Sequence, residues 1–330
     1  MHKILYVLVC SNKDLYCEQC ILSIMSAKKN SPDSKITLLV DDQTRICIEQ
    51  IPTKKQILNL VDEFISVPRP QNFTGMETSR YLKTKMREFV KGNFLYIDSD
   101  TIICESLNEI ENTPFDLGAI LDQHMNLSQS THAIVSKDHI KEVSHLDELV
   151  NYEKYFNGGV LWVRDVESNH KFFKDWHNNW LQSRSKGIRT DMPALALANY
   201  QNNFAIQELD GIWNCQIWFG ANYLSKAKII HYFTSIDSFT GGYSTFSTDL
   251  PLKIQSGKQL DELDWQKIQN ARNSFPIPNA IIAGADYEIY RSSLCGILRA
   301  LYRKKKLFSM LERMLLSIRI LRAKIMFKRK

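Results

Sequence analysis

The chain of 330 residues carries 42 Lys and Arg against 36 Asp and Glu, a net charge of +6, and 44% of its residues are hydrophobic. This composition is typical of a soluble globular protein, and the length suits one large domain or two ordinary ones. The sequence contains no run of 18 apolar residues, so a membrane-spanning helix is not expected.

The cysteine content points to a reducing environment. Seven cysteines, an odd number, occur in a long chain without a secretion signal, which favours reduced thiols in a cytosolic setting. Cys17 and Cys20 form a CxxC pair, but it lies inside a predicted helix and no second pair completes a zinc site. We therefore interpret both cysteines as part of a packed helix face.

The first elements predict the start of a parallel α/β sheet. A strand is expected over residues 4–9, a helix over 17–27 and a second strand over 35–40, followed by a helix and a short strand within 43–67. A β-α-β start implies parallel strands joined by a right-handed crossover.

Two carboxylates follow a predicted buried strand near the middle of the chain. Residues 94–103 have the sequence FLYIDSDTII, in which Asp98 and Asp100 interrupt an apolar run. We expect the strand to end here, at the carboxyl edge of a parallel sheet, where open α/β folds bind ligands. Neighbouring carboxylates repel each other, and a Mg²⁺ or Mn²⁺ ion would remove this cost while bridging two phosphates of a nucleotide. The alternative is an acidic turn that caps a helix or faces solvent.

A basic helix is predicted directly before this strand, over residues 78–90. Its basic residues are Arg80, Lys83, Lys85 and Arg87. Most of them are expected on a solvated helix face, but at least one phosphate contact is expected because the helix leads into the acidic edge.

Polar residues also border the predicted strands downstream. A strand over residues 116–121 ends at Asp122, and Asn157, Gly158 and Gly159 precede an apolar strand. The two glycines would let the backbone approach a ligand closely, and the Asn157 amide can bind sugar hydroxyls.

Two later residues are candidates for the same site. Asp191 stands at the start of a predicted helix, where it is either the N-cap or a catalytic group. His231 lies in a short predicted strand over residues 228–233. A lone histidine is usually structural, but a metal bound by two aspartates needs a further ligand of this kind.

Taken in order, these segments resemble the GT-A fold glycosyltransferases. The basic helix before YIDSDT, the strand ending at Asp122, FNGGVL, the later Asp191 and the strand IIH carry the resemblance, which covers roughly residues 1–240. The order is most similar to the retaining, family 8-like group that includes glycogenin-like and bacterial lipopolysaccharide galactosyltransferase-like enzymes. The resemblance implies an α/β fold with a Rossmann-like, mostly parallel central sheet flanked by helices.

The resemblance also implies a metal-dependent hexosyl transfer from a nucleotide sugar, a UDP-sugar in this group, to a glycan or lipid-linked glycan, with retention. The implied ligands of Mn²⁺ or Mg²⁺ are Asp98, Asp100 and His231. The implied donor-binding residues are Asn12, Lys83, Asp98, Asp122, Asn157 and Gly158. The implied catalytic residues are Asp191 and Asn157. Attack from the face that the diphosphate leaves and double displacement through Asp191 both remain open.

The sequence departs from the family at two places. The family commonly has a Gln after the Asp at position 191, where this chain has Met192. The family often has a Gly and a diphosphate-binding Lys after its histidine, where this chain has Thr234 and Asp237. These departures leave open a catalytically inactive sugar-nucleotide-binding protein. A second alternative is a haloacid-dehalogenase-like phosphatase, which also places Asp-x-Asp after a strand but normally begins near it.

The charge is concentrated at the C-terminus. Residues 299–330 contain 12 Lys and Arg and one acid, Glu312, a net +11 that leaves −5 for the first 298 residues of a chain totalling +6. Aliphatic residues recur there at helical spacing, which predicts a basic amphipathic helical tail on an anionic membrane surface. A helix packed on the body or on a second subunit is the alternative. The acidic body argues against nucleic acid as a partner, and so does the interleaving of the basic residues with long aliphatic rather than stacking aromatic side chains.

We therefore expect three segments. A GT-A nucleotide-sugar-binding domain spans residues 1–250, a closing segment spans 251–298, and the basic tail spans 299–330. Residues 251–278 are predicted to be loop-rich, with helix resuming near Tyr287. The expected location is cytoplasmic, at the inner face of the membrane as a peripheral protein.

Overall fold

The computed structural model describes residues 3–130, 133–217, 219, 222–233, 245–274, 292–302 and 304–327. The chain divides into two compact units. The first comprises Met1–Leu127 and Ser136–Ala280, and the second comprises Ser128–Val135 and Ile281–Lys330. Every predicted site residue belongs to the first unit.

The strands of the described residues all belong to the first unit. In chain order they are β1 (Lys3–Leu8), β2 (Lys35–Asp41), β3 (Glu63–Val67), β4 (Phe94–Ile97), β5 (Thr101–Ile103), β6 (Leu117–Leu121), β7 (Phe156–Val163), β8 (Gln207–Glu208), β9 (Cys215–Gln216) and β10 (Ile229–His231). Seven strands form a sheet in the order β3-β2-β1-β4-β7-β6-β8, and the other three form a sheet in the order β5-β10-β9.

The larger sheet is mostly parallel, as predicted. β1 pairs in parallel with β2 and β4, and β2 pairs in parallel with β3, whereas β7 runs antiparallel to β4 and β6. The apolar run after Asp100 does not continue β4. It forms β5, which pairs antiparallel with β10 in the smaller sheet. The acidic motif therefore lies in the turn that connects the two sheets.

Helices of the first unit cover both faces of the larger sheet. In chain order, the α-helices of the described residues in the two units are α1 (Tyr16–Asn30), α2 (Asp42–Gln50), α3 (Pro52–Lys55), α4 (Gly75–Phe89), α5 (Ala133–Ser144), α6 (Asp147–Val150), α7 (Glu167–Ser185), α8 (Met192–Gln201), α9 (Leu250–Gln255), α10 (Glu262–Gln269), α11 (Ser293–Tyr302) and α12 (Lys305–Phe327). Alternate residues of β1 enter different cores: Tyr6 packs with residues of α1, and Leu5 packs with residues of α4 and α7. Cys17 and Cys20 are fully buried in the first of these cores, which confirms their packing role.

Helix α4 begins three residues earlier than predicted because of its N-terminal cap. Thr74 and Glu77 form a capping box, in which the Thr74 hydroxyl accepts a hydrogen bond from the Glu77 N–H and the Glu77 carboxylate accepts one from the Thr74 N–H. The reciprocal bonds satisfy backbone donors that the first turn would otherwise leave unpaired. This cap fixes the start of the helix that carries Arg80 and Lys83.

The prediction of a loop-rich segment after residue 250 was wrong for its described part. Pro251 lies in the first turn of α9, where a proline needs no hydrogen-bond partner for its missing N–H. Asp261 and Asp264 form a capping box at the start of α10. Tyr287 lies outside the described residues.

The second unit includes the predicted helical tail. Helices α11 and α12 contact each other, with the rings of Tyr302 and Phe308 in an edge-to-face arrangement 5.0 Å apart. Several large apolar side chains of α12 are exposed: Leu307, Met310, Met314, Leu315, Leu316 and Ile318. None of the helices in the described part of the chain is both long and apolar enough to span a membrane.

Candidate active site

The acidic motif is held firmly where β4 ends. The Asp98 N–H donates to the Gly159 carbonyl over 2.8 Å, and the Thr101 hydroxyl donates to the Asp98 carbonyl over 2.8 Å. The Tyr96 hydroxyl donates to Asp98 Oδ1. Burial, followed by the charge of Asp98, raises the pKa of Tyr96 well above its ordinary value, so this phenol remains a donor. These hydrogen bonds therefore fix the position of Asp98 at the end of β4.

Asp98, Asp100 and His231 converge on one point, as the sequence predicted. One ligand atom from each lies within 4.8 Å of the others. The antiparallel pairing of β10 with β5 places His231 opposite Thr101 and next to the motif. His231 Nε2 lies 3.2 Å from Asp100 Oδ1.

The chemistry of these three side chains fits a divalent cation. Burial would lower the pKa of His231, but the charges of Asp100 and Asp98 outweigh it and raise the pKa. The electrostatic potential is therefore negative where His231 Nε2 faces the two carboxylates, and a bound cation would neutralise it. Two carboxylates and one imidazole are a donor set suited to Mn²⁺ or Mg²⁺ together with phosphate oxygens.

Two cations of α4 lie beside the acidic group in different settings. Lys83 Nζ is 3.5 Å from both Asp98 Oδ1 and Asp191 Oδ2, and its side chain is only 8% exposed. Arg80 is one turn earlier on the same face, with its Nε 3.5 Å from Asp191 Oδ1, and its side chain is 34% exposed. Buried Arg80 Nε makes no hydrogen bond. Lys83 therefore neutralises Asp98 and Asp191 from a buried position, whereas the Arg80 side chain remains partly exposed to solvent.

Asp191 is not a helix cap. It occupies the position before α8, but its side chain makes no capping hydrogen bond and pairs instead with Lys83 and Arg80. Burial would raise the pKa of Asp191, but Lys83 and Arg80 hold the pKa below its usual value. The carboxylate therefore stays ionised although its side chain is only 7% exposed. Gly158 lies against the same group, since a Cβ added there would be 3.3 Å from Lys83 Nζ.

Asn157 and Asp122 form a polar pair close to the candidate metal ligands. Asn157 Nδ2 donates to Asp122 Oδ1 over 2.9 Å, and burial raises the pKa of Asp122. The chain after Asp122 turns sharply, with Gln123 in the left-handed region at φ 58°. Gln216 fixes this turn, because its Oε1 accepts from the Gln123 N–H and its Nε2 donates to the Leu121 carbonyl, each over 2.8 Å.

A cleft of about 840 Å³ opens beside the acidic motif. Asp98, Asp100 and Arg80 line one part of it. The segment after β1, including Asn12, lines another part of it. This volume lies in the range of pockets that enclose ligands of nucleotide size.

The glycine pair serves a purpose that the sequence did not predict. A Cβ added at Gly159 would lie 2.5 Å from His231 Cε1 and 2.9 Å from both Asp98 Oδ2 and Asn157 Oδ1. Gly159 therefore makes room for the site's own side chains rather than for a ligand.

Sequence reasoning missed three contributors to the site. Arg80 was named only as one of several basic helix residues, although its spacing of three from Lys83 puts both on one face. Tyr96 gave no signal, although its partner Asp98 is only two residues away. Asn214 gave none because its contacts, with Asn157 and His231, are with residues distant in sequence. Met192 follows Asp191 as the first residue of α8, and Thr234 and Asp237 lie outside the described residues.

Comparison with solved structures identifies the fold. The crystal structure of the galactosyltransferase LgtC in complex with donor and acceptor sugar analogues matches with a TM-score of 0.50 at 17% identity, covering 81% of this chain and 99% of LgtC. Mouse xyloside xylosyltransferase 1 matches at 11% identity over 70% of this chain and 97% of that protein, with a TM-score of 0.48. GlyE of Streptococcus pneumoniae matches at 16% identity over 78% of this chain and 62% of that protein, also with a TM-score of 0.48.

The match to LgtC confirms the predicted fold. This chain has the GT-A fold of glycosyltransferases, with a seven-stranded, mostly parallel sheet between helices. At 17% identity the likeness concerns the fold alone. No family model and no curated protein sequence matches the chain.

Proposed function

We propose that this chain is a metal-dependent glycosyltransferase that moves a hexose from a UDP-sugar to a glycan or lipid-linked glycan, with retention at the transferred carbon. The observation that carries the proposal is the convergence of Asp98, Asp100 and His231 within 4.8 Å at the edge of a nucleotide-sized cleft. On a GT-A fold, this is the chemistry that a nucleotide-sugar donor requires. LgtC, which shares the fold, was crystallised with donor and acceptor sugar analogues, in keeping with the proposed substrate classes.

The proposed donor extends along the cleft. Asn12 contacts the uridine, while Asp98, Asp100 and His231 hold a Mn²⁺ or Mg²⁺ ion at the diphosphate. A divalent cation held by these three residues would supply positive charge to neutralise the leaving diphosphate. Arg80, whose side chain is 34% exposed and lines the cleft, donates to a phosphate oxygen while its buried Nε stays beside Asp191. Lys83 holds Asp98 and Asp191 in position through its two ion pairs.

The donor sugar lies beyond the diphosphate in this proposal. Asn157, with Asp122, binds its hydroxyls, and Gly158 leaves room beside Lys83. Asp191 acts as the catalytic carboxylate: held ionised between two cations, it stabilises the positive charge that develops on the sugar ring as the diphosphate leaves. This electrostatic role serves front-face attack and double displacement alike.

The two alternatives from the sequence fare differently. The GT-A fold removes the basis for the phosphatase alternative, which required another fold. A sugar-nucleotide-binding protein without activity differs from the proposal in turnover only, so an activity assay separates the two.

The test is a donor-turnover assay with the full chain. UDP release is measured from a panel of UDP-hexoses with Mn²⁺, with and without glycan acceptors, and the anomeric configuration of any product is determined. We expect Asp100→Ala to abolish turnover and to leave the fold intact. Asp147→Ala, at a side chain 84% exposed on α6, is the control and should match the unaltered protein. Turnover by Asp100→Ala equal to that of the control would contradict the site assignment.

For the second unit we propose docking on an anionic membrane surface at the cytoplasmic face. Helix α12 exposes Met310, Met314 and Ile318 in a tail of net charge +11. Basic residues near such a surface contribute about 1 kcal/mol each, and the exposed apolar side chains can enter the headgroup region. This location suits a lipid-linked acceptor.

Vesicle flotation tests the membrane proposal. The full chain should float with vesicles that contain phosphatidylglycerol, float less at high salt, and stay unbound with phosphatidylcholine alone. Replacing Met310 and Met314 by Glu should weaken flotation without changing UDP release from a soluble donor. Failure to float with anionic vesicles at low salt would contradict the proposal.

A further inference from the structure

A chain of hydrogen bonds joins the predicted metal ligand to the predicted sugar-binding residues. It begins at the Gly159 backbone N–H, which donates to Asn157 Oδ1 over 2.9 Å. A backbone N–H can only donate, so the Asn157 atom that it meets is the amide oxygen. Asn157 Nδ2 consequently faces Asp122 Oδ1, to which it donates over 2.9 Å.

Asn214 continues the chain, and its amide orientation follows in the same way. Because the Asn157 oxygen is an acceptor, the Asn214 atom 3.1 Å from it must be the donor Nδ2. Asn214 Oδ1 is therefore the atom that faces His231 Nδ1, at 3.1 Å. An amide oxygen accepts hydrogen bonds only, so His231 carries a proton on Nδ1.

The proton on Nδ1 decides what His231 can bind. With Nδ1 as a donor to Asn214, the lone pair of neutral His231 is on Nε2, the atom 3.2 Å from Asp100 Oδ1. Metal-binding histidines commonly have this arrangement, in which a carbonyl or carboxylate holds the other ring N–H.

The packing around Asn214 and His231 leaves little freedom for a different arrangement. The Phe233 ring stacks on the His231 ring with centroids 3.9 Å apart and an interplanar angle of 9°, and Gly159 approaches His231 Cε1. Asn214 is fully buried and directly precedes β9, which pairs with β10. The ring plane is thus fixed by packing, and Asn214 fixes the ring's proton.

We propose that Asn214 is a positioning residue that couples metal binding to recognition of the donor sugar. Its oxygen fixes the His231 tautomer that presents Nε2 to the metal, and its Nδ2 holds Asn157 in the orientation that binds sugar hydroxyls. The inference rests on the proposed function, because it assigns Asn214 a task in that same site. Loss of the Asn214 oxygen should therefore weaken metal binding, whereas loss of its Nδ2 should weaken binding of the donor sugar.

Two variants separate the halves. Asn214→Leu keeps the approximate shape and removes both bonds. We expect the affinity of the nucleotide-free protein for Mn²⁺, measured by electron paramagnetic resonance of free Mn²⁺, to fall about 10- to 100-fold. Asn214→Asp keeps an acceptor for His231 but sets a carboxylate oxygen against Asn157 Oδ1. We expect it to bind Mn²⁺ at least as tightly as the unaltered chain and to raise KM for the UDP-hexose donor.

Asn169→Leu is the matched control. Asn169 is also buried, and its Nδ2 donates to the carbonyls of Asp116 and Arg164 over 2.9 Å each, away from the site. It should lose stability as Asn214→Leu does and keep its affinity for Mn²⁺.

Each outcome is decisive. Unchanged Mn²⁺ affinity in Asn214→Leu, or a loss in Asn214→Asp equal to that of a folded Asn214→Leu, would overturn the proposal. If Asn214→Leu does not fold, Asn214→Asp still tests it, since tight Mn²⁺ binding with a raised donor KM supports the coupling and an unchanged KM contradicts it. Failure of the unaltered chain to bind Mn²⁺ or UDP would instead overturn the proposed function.

Discussion

At the residue scale, the site depends on the close packing of its side chains as much as on their charges. Gly158 and Gly159 are neighbours in β7, yet an added methyl group meets different surroundings at each. At Gly159 it would collide with His231, Asp98 and Asn157, whereas at Gly158 it meets the flexible end of Lys83. Substitution of Gly159 therefore tests the site, and the same substitution at Gly158 is its control.

We expect Gly159→Ala to lose Mn²⁺-dependent UDP binding and about 1–3 kcal/mol of stability, because packed side chains must move to admit the methyl group. Gly158→Ala should bind UDP within a few-fold of the unaltered chain. Isothermal titration with UDP in the presence of Mn²⁺, together with urea unfolding, measures both effects. Similar UDP binding by the two variants would mean that the site tolerates displacement of His231, contrary to our account.

Arg80 offers a second residue-scale prediction. If its guanidinium contacts a phosphate, Arg80→Gln should weaken binding of UDP but not of uridine. A hydrogen bond to a charged group contributes about 1.5–3 kcal/mol, so the loss for UDP should be roughly 10- to 100-fold. Titration of both ligands in the presence of Mn²⁺ measures the difference.

Lys85 provides the control for Arg80, because it lies on the same helix but pairs with Glu88 and rests on the ring of Tyr81. Lys85→Gln should leave both affinities unchanged. Equal weakening of UDP and uridine by Arg80→Gln would point to a disturbed cleft rather than a lost phosphate contact.

At the element scale, helix α4 positions both site cations, and its first turn depends on Glu77. The pKa of Glu77 is lowered from 4.5 to about 2 by hydrogen bonds from the Thr74 N–H and hydroxyl, with a further contribution from Arg184. The folded chain therefore favours the ionised carboxylate, and the resulting stability is present above pH 4.5 and is lost as the pH falls toward 2.

We expect Glu77→Gln to cost about 1–2 kcal/mol at pH 7, since it weakens the cap and removes the ion pair with Arg184. The difference from the unaltered chain should shrink as the pH falls below 4.5. Urea unfolding at pH 7 and pH 3 measures it. Glu88→Gln, at a side chain 61% exposed on the same helix, should change stability little at either pH. A Glu77→Gln difference that is independent of pH would contradict the argument.

The elements themselves were largely predictable, and the errors have local causes. Strands β1, β2, β4 and β7 were predicted because continuous apolar runs identify strands buried on both faces. The sequence could not reveal that Thr101–Ile103 joins a second sheet, because that depends on pairing with β10, distant in sequence. Helix α10 was missed because its capping box, Asp261 and Asp264, stands among loop-forming residues.

At the scale of the whole molecule, the site draws on segments from Asn12 to His231. The convergence of the candidate metal ligands was predictable because carboxylates after a strand and a histidine in a strand form a donor set for a divalent cation wherever they meet. The hydrogen-bonded partners were not, since Asn214 acquires its role only through contacts with Asn157 and His231. What the fold adds is the set of hydrogen bonds that orient Asp98, Asn157 and His231.

The measurement that tests the central claim most directly is the thermal stability of the purified full chain with UDP, GDP and CDP, each with Mn²⁺ or with a chelator. A ligand present at a hundred times its Kd stabilises the folded chain by about 2.7 kcal/mol, which is a readily measured rise in Tm. We expect UDP to raise Tm strongly with Mn²⁺ and little with the chelator. The account would be contradicted if none of the three nucleotides raised Tm under either condition.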